Sequence, residues 1–109
     1  MDREMMKGSI DLLLLSLIGK RDLYGYEMTK ILHQLSDGTY EMSEGTLYPA
    51  LKRLERKLWV SSYWSETAAG RRKYYRMTDS GKKELEKKRK NFELIENLVK
   101  RSSEGLGEV

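Results

Sequence analysis

Residues 43–60 read Ser43-Glu44-Gly45-Thr46-Leu47-Tyr48-Pro49-Ala50-Leu51-Lys52-Arg53-Leu54-Glu55-Arg56-Lys57-Leu58-Trp59-Val60, and their leucines carry a pattern. Leu47, Leu51, Leu54 and Leu58 recur at intervals of four, three and four, which places them on one face of a helix. Lys52, Arg53, Arg56 and Lys57 fall largely on the other faces, where they can offer cations to solvent or to phosphate. Ser43 is an N-cap residue type, and Glu44 suits the positive end of the helix dipole. Pro49 complicates the pattern, because an interior proline loses a hydrogen bond and crowds the preceding turn. Either the helix starts nearer Thr46, with Pro49 in its first turn, or it bends locally at Pro49.

Downstream, Val60–Trp64 and Lys73–Thr78 are rich in the aromatic and β-branched residues that favour strands. Thr67-Ala68-Ala69-Gly70 connects them, and Gly70 can take a positive φ. A connection of that length predicts a mobile tip, with Arg71, Arg72 and Lys73 where it rejoins the second strand. Upstream, Met5–Ile18 predicts a first helix, apolar most of the way round, and Gly19 a stop. Such a helix packs either on its own chain and a second copy, or as the central core helix of a monomer. Lys20–Leu23 reads as a loop and Tyr24–Leu35 as the second helix, with Tyr24, Met28, Ile31 and Leu35 on one face. Gly25 there either admits close approach of another backbone or merely lowers stability. Ser36–Thr39 forms a turn and Tyr40–Met42 a short extended lead.

Thr78 caps a last helix predicted over Asp79–Arg101. Leu85, Phe92, Ile95 and Val99 fall at intervals of seven, three and four, close to a heptad seam, with Leu94 and Leu98 widening it. The far end of so long a helix is expected to project and pair with another subunit. Its lysines read first as a solvated face and second as phosphate contacts. The fold class is mainly α with a β-hairpin wing: a winged helix-turn-helix plus a long C-terminal helix. Residues 1–78 form the winged helix unit and 79–101 the dimerisation helix, and 102–109 are expected to be a disordered tail.

The chain has 109 residues and a net charge of +4. That favours one domain and, weakly, a polyanionic partner. The absence of cysteine excludes disulfides and thiolate chemistry. His33 is the only histidine and reads as helix surface, so no metal site is expected, and no cofactor motif is present. No apolar run near the start is long enough to span a bilayer, and a cytoplasmic location is the default. No nucleophile–base set or paired carboxylate logic is visible, which argues against an enzyme.

Three stretches resemble the PadR family of bacterial transcriptional regulators: Thr46-Leu47-Tyr48-Pro49-Ala50-Leu51-Lys52-Arg53-Leu54-Glu55, Gly70-Arg71-Arg72-Lys73-Tyr74-Tyr75-Arg76-Met77-Thr78 with Gly81, and Tyr24-Gly25-Tyr26-Glu27. The resemblance spans roughly residues 8–99 and is closest to the small subfamily with a single dimerisation helix. It implies a dimer that represses promoters, with the third helix in the major groove and the wing on the backbone or minor groove. The sequence departs from the pattern at Lys57-Leu58-Trp59, where many relatives carry a glycine. Some small members hold flat aromatic compounds between tryptophans of their last helices. Phe92 stands at the matching position, and either lines such a pocket or fills the dimer seam.

For base-edge contacts the candidates are Ser43, Glu44, Thr46 and Tyr48, followed by Lys52 and Arg53. Tyr48 reads equally well as a core residue. Arg71, Arg72 and Lys73 are candidates for phosphate or minor-groove contact. Phe92, Leu85, Ile95, Val99 and Leu14 are candidates for the dimer seam or ligand site. Tyr63, Trp64, Tyr74 and Tyr75 either offer a stacking platform or, for at least half of them, close the core. The leading expectation is a homodimer that binds a palindromic double-stranded operator and is relieved by a small aromatic effector. A multidrug sensor at the dimer centre and a winged-helix protein-interaction module are the alternatives.

Overall fold

A computed structural model describes residues 8–105. In chain order it contains α1 (Ile10–Ile18), β1 (Leu23–Tyr24), α2 (Gly25–Leu35), α3 (Glu44–Arg56), β2 (Val60–Thr67), β3 (Gly70–Met77) and α4 (Asp79–Gly105). The strands form one antiparallel sheet of order β1-β3-β2. This is a winged helix-turn-helix with a long C-terminal helix. Met5–Lys7 of the expected first helix and residues 106–109 of the expected tail lie outside the described residues.

The helical periodicity becomes the core. Leu47, Leu51 and Leu54 of α3 meet Leu14 and Leu15 of α1, Met28 of α2 and Val60 of β2 in one buried cluster. Each such side chain contributes about 1.5–3 kcal/mol by leaving water. Leu35, expected on the buried face of α2, is instead exposed, because the helix ends there and Leu32 fills the core position.

Four elements depart from expectation. Leu23, assigned to a loop, is a buried strand residue paired with Tyr75. Pro49 lies well inside α3, which starts at Glu44 rather than near Thr46. Proline cannot donate to the Gly45 carbonyl, but Gly45 and Pro49 are both exposed, so water can take that acceptor. The wing strands run to Thr67 and from Gly70, leaving only Ala68 and Ala69 as the turn. Gly70 takes φ 114° there, so the expected long mobile tip is a tight hairpin. Finally, Ser102–Gly105, expected in the disordered tail, continue α4. Each added residue gains a backbone bond once the helix is nucleated, and the Ser103 hydroxyl also bonds back to the Val99 carbonyl at 2.8 Å.

The exit of α3 ties the molecule together. The Trp59 amide donates to the Leu54 carbonyl at 3.0 Å and the Leu58 amide to Glu55 at 3.0 Å, the two bonds of a Schellman turn. Leu58 occupies its left-handed position at φ 63°, where the family pattern has glycine. The Leu58 carbonyl accepts the hydroxyls of Thr78 and Ser80 at 2.5 and 2.7 Å. The Thr78 amide donates to Trp59 O at 3.1 Å, and the Thr78 hydroxyl caps the Gly81 amide at 3.0 Å. A Cβ on Gly81 would lie 1.9 Å from that Trp59 oxygen. Lys57 and Lys88 stack on the Trp59 ring at 4.7 and 5.1 Å from its centroid. Beyond Lys88, α4 is exposed through Glu104, and the chain is elongated at 60 × 31 × 20 Å.

Two substitutions test this junction by chemical denaturation. Leu58→Gly raises stability by about 1 kcal/mol, since it relieves a left-handed side chain that is 71% exposed. Gly81→Ala lowers stability by about 3 kcal/mol or more, because the first turn of α4 must leave the Trp59 carbonyl.

Candidate nucleic-acid interface

At 3.6 residues per turn, the line of α3 opposite its buried leucines holds Gly45, Pro49, Lys52 and Arg56. All four are exposed, and among the described residues neither Lys52 nor Arg56 forms an ion pair. Proline and glycine there keep the surface low, so the two cations stand out from it. The sequence-based candidates divide around this line. Lys52 is on it. Ser43 and Glu44 are exposed at the helix start. Thr46 is half-buried on one flank and its hydroxyl accepts from Ser43 Oγ at 3.2 Å. Arg53 is turned toward α1, where it pairs with Asp11. Arg56 was not among the candidates, although its position four residues after Lys52 was the available signal.

Tyr48 resolves between its two readings as a surface residue, 46% exposed, on the flank facing the wing. Its ring lies over the start of α2, where a Cβ on Gly25 would come within 3.0 Å of both Cε1 and the hydroxyl oxygen. Gly25 therefore makes room for a tyrosine ring rather than for another backbone.

The wing cations are held by rings. Arg71 stacks on Trp64 at 4.9 Å, Arg72 on Tyr24 at 4.6 Å and Lys73 lies 5.8 Å from the Tyr75 centroid. Each contact contributes about 0.5–1 kcal/mol and restricts a flexible cation before any ligand arrives. The cation cluster lies in strand β3, not in a loop, which follows from the two-residue turn. Of the four hairpin aromatics, only Tyr75 belongs to the core, which overturns the expectation that at least half close it. Tyr63 and Tyr74 continue a row with Tyr24 across the outer sheet face, with centroids 5.7 and 5.5 Å apart.

Asp22 anchors one end of that row. Its Oδ2 accepts Tyr63 Oη at 2.6 Å and Arg76 Nε at 3.2 Å. The phenol's bond to this carboxylate raises the Tyr63 pKa above its ordinary value, so the donor keeps its proton at neutral pH. On the other sheet edge, Ser62 Oγ donates to Glu55 of α3 at 2.6 Å. Wing and helix are thus pinned to the body by short polar contacts at either side. Between them opens a cleft of about 360 Å³ lined by Tyr26, Tyr48, Trp64, Arg71, Arg72 and Lys73. Trp64, 56% exposed, figures in the sequence only as part of a stacking platform, and Tyr26, 58% exposed, was not among the sequence candidates. Cations above a groove-sized helix, with aromatic faces beside them, suit a phosphodiester backbone and its sugars.

Residues 14–87 match the family described as Transcriptional regulator PadR-like family. The chain belongs to that family. A PadR family transcription regulator from Clostridium difficile is 40% identical, with 85% of this chain and 96% of that one covered and a TM-score of 0.75. A transcriptional regulator from Clostridium thermocellum is 36% identical over 90% and 96% of the two chains, with a TM-score of 0.82. A protein of Lysinibacillus sphaericus is 32% identical over 94% of this chain and 95% of its own length. PadR-like membership makes this a DNA-binding transcriptional regulator and not an enzyme.

The dimer-seam candidates also separate. Leu14 is fully buried in the chain's own core, so it cannot face a second copy, and Leu85 packs half-buried against that core. Phe92, Ile95 and Val99 are 50–64% exposed along α4. Phe92 lines a groove of about 420 Å³ with Leu12, Leu13 and Ser16 of α1. Among the described residues no cluster suited to a metal ion occurs, and no helix is long and apolar enough to cross a membrane.

Alanine substitutions on the interface separate reading from docking. Arg56→Ala or Lys52→Ala weakens specific duplex binding by about 1–3 kcal/mol and relaxes preference at one base pair. Arg72→Ala weakens all duplexes alike and lowers the slope of log K against log salt by about 1. Fluorescence anisotropy across a salt series measures both.

Proposed function

We propose that this PadR-like chain is a homodimeric repressor that acts in the cytoplasm on a palindromic operator and is released by a small aromatic effector. The outward line of Lys52 and Arg56 beside three ring-held wing cations carries the reading. In this assignment α3 enters the major groove, with Lys52 and Arg56 at base edges and Ser43, Glu44, Thr46 and Tyr48 near its entry. Arg71, Arg72 and Lys73 meet phosphate or the adjacent minor groove. These contacts position the protein, while the groove edges supply sequence preference.

Self-association is supported by α4, whose outer half offers Phe92, Ile95 and Val99 at coiled-coil spacing, each at least half exposed among the described residues. A dimer across these residues gives two α3 helices related by a twofold axis, which matches a palindrome with half-sites one helical turn or a multiple apart. The effector reading draws on the apolar groove under Phe92, which is large enough for a flat ring system. The same groove favours the multidrug-sensor alternative, in which ligand capture is the main role.

The deciding experiment is anisotropy of the purified chain on the duplex upstream of its own gene, beside a scrambled duplex, at two salt concentrations. The repressor reading expects at least about 1000-fold preference for the upstream duplex and two chains per complex. Phe92→Glu with Ile95→Glu yields monomers by light scattering and removes most of that preference, since each half-site then binds alone. Equal, weak binding that vanishes with salt would shift the operator elsewhere or favour a protein-interaction role.

A further inference from the structure

The recognition helix carries one arginine that does not face outward. Arg53 sits on the flank of α3 toward α1, and its Nη2 donates to Oδ1 of Asp11, a residue 42 positions earlier in the chain. The Asp11 side chain is 18% exposed and that of Arg53 39%. Asp11 is the only charged residue between Ile10 and Ile18, so α1 reaches α3 electrostatically through this pair alone. The other contacts between the two helices are apolar side chains such as Leu14, Leu15, Leu51 and Leu54. Such packing chooses the buried face of the helix, and directional contacts refine its rotation: Ser62 on Glu55 at 2.6 Å toward the sheet, and the Arg53–Asp11 pair toward α1. A charge-assisted hydrogen bond is directional and fixes that rotation.

Small rotations matter at the groove. Side-chain surfaces lie about 5–6 Å from a helix axis, so a turn of about 20° displaces them by about 2 Å. That exceeds the tolerance of a hydrogen bond to a base edge. We infer that Arg53 is a positioning residue, paired with Asp11 to set the azimuth of α3 and hence the direction in which Lys52 and Arg56 project. It does not itself read a base. This rests on the DNA-binding reading of α3, and it extends the interface to a side chain on α1 that touches no DNA.

The pair also differs in kind from the wing's cation–π contacts. Arg71 and Arg72 lie on rings and keep their donors available, whereas Arg53 spends a donor on a mostly buried carboxylate. Removing Arg53 strands that carboxylate, and removing Asp11 frees Arg53 to swing outward. The two deletions therefore have different signatures under the two roles.

The test is a double-mutant cycle on a duplex that the wild-type protein selects from a random pool, read by anisotropy, with Asp11→Asn, Arg53→Met and their combination. Positioning predicts that each single variant binds about tenfold more weakly. The double variant then loses no more than either single one, and both single variants blunt preference in the same way, at the positions Lys52 and Arg56 read rather than at a further base pair of Arg53's own. Arg53→Lys, which keeps a charged donor, recovers part of the loss. The inference is overturned if Arg53→Met relaxes preference at one base pair while Asp11→Asn binds as well as wild type or better. Additive losses overturn it too, because they make the two residues independent. Circular dichroism and the unfolding midpoint identify a variant that fails to fold. Should Arg53→Met be lost that way, Asp11→Asn decides alone, since a base-reading arginine predicts no loss and positioning predicts about tenfold. If the wild-type chain selects no duplex at all, the DNA reading falls and this inference falls with it. Normal wild-type selection with an insensitive Asp11→Asn removes only the inference.

Discussion

The Thr78 amide reaches the Trp59 carbonyl across a gap that only a glycine at position 81 leaves open. Around that contact the end of α3, the two ends of the wing and the first turn of α4 come together within a few residues. The Schellman turn at Leu58 presents its carbonyl to the hydroxyls of Thr78, just before α4, and Ser80, in its first turn, and Trp59 is flanked by lysines from α3's end and from α4. Displacing any one of these elements therefore displaces the others. The placement of the recognition helix is a property of this junction as much as of its own leucines.

What was legible in the sequence was what repeats. Leucine spacing gave α3 its buried face, and the heptad-like run along α4 stood out because it continues over several turns. Features made by two distant residues were not legible. Strand β1 is two residues long and exists through its pairing with Tyr74 and Tyr75. Arg53 looked like any other cation of α3 until Asp11 was found against it. Leu14 shared its apolar character with the seam residues, and only packing distinguished an inward leucine from an outward one. Of the two readings of Pro49, a helix starting nearer Thr46 fails because the acceptor that proline leaves unpaired lies on the exposed side, where an interior proline is tolerated. The full length of the wing strands was not legible, because arginine and lysine carry little strand preference. In the structure their stems lie on tyrosine and tryptophan rings.

The interface has a division of labour among its charges. Three acidic side chains near it are engaged in holding, Asp11 of α1 to Arg53, Asp22 to Tyr63 and Arg76, and Glu55 to Ser62, while Glu44 and Glu66 stay exposed. Cations on the outward line are left to the solvent side, and those on the wing rest on aromatic faces. The three engaged carboxylates thus take no part in opposing the outward cations Lys52 and Arg56. Aromatic support also lowers the ordering cost of long side chains on binding, about 0.5–1.5 kcal/mol for each one already restrained.

Among the described residues, the outer half of α4 meets the rest of the chain only along the groove at Phe92, which does little to keep it wound. About sixteen residues of isolated helix are marginal in water, where nucleation is costly and each turn adds little. Whatever covers Phe92, Ile95 and Val99 therefore also supplies the stability of the helix that displays them. If that cover is a second copy, the length of ordered helix follows the amount of protein present: dilution unwinds it from the free end, and accumulation winds it again. The backbone amides of that half would then exchange with solvent at a rate that reports subunit abundance. A regulator built this way carries a measure of its own concentration in the winding of one helix.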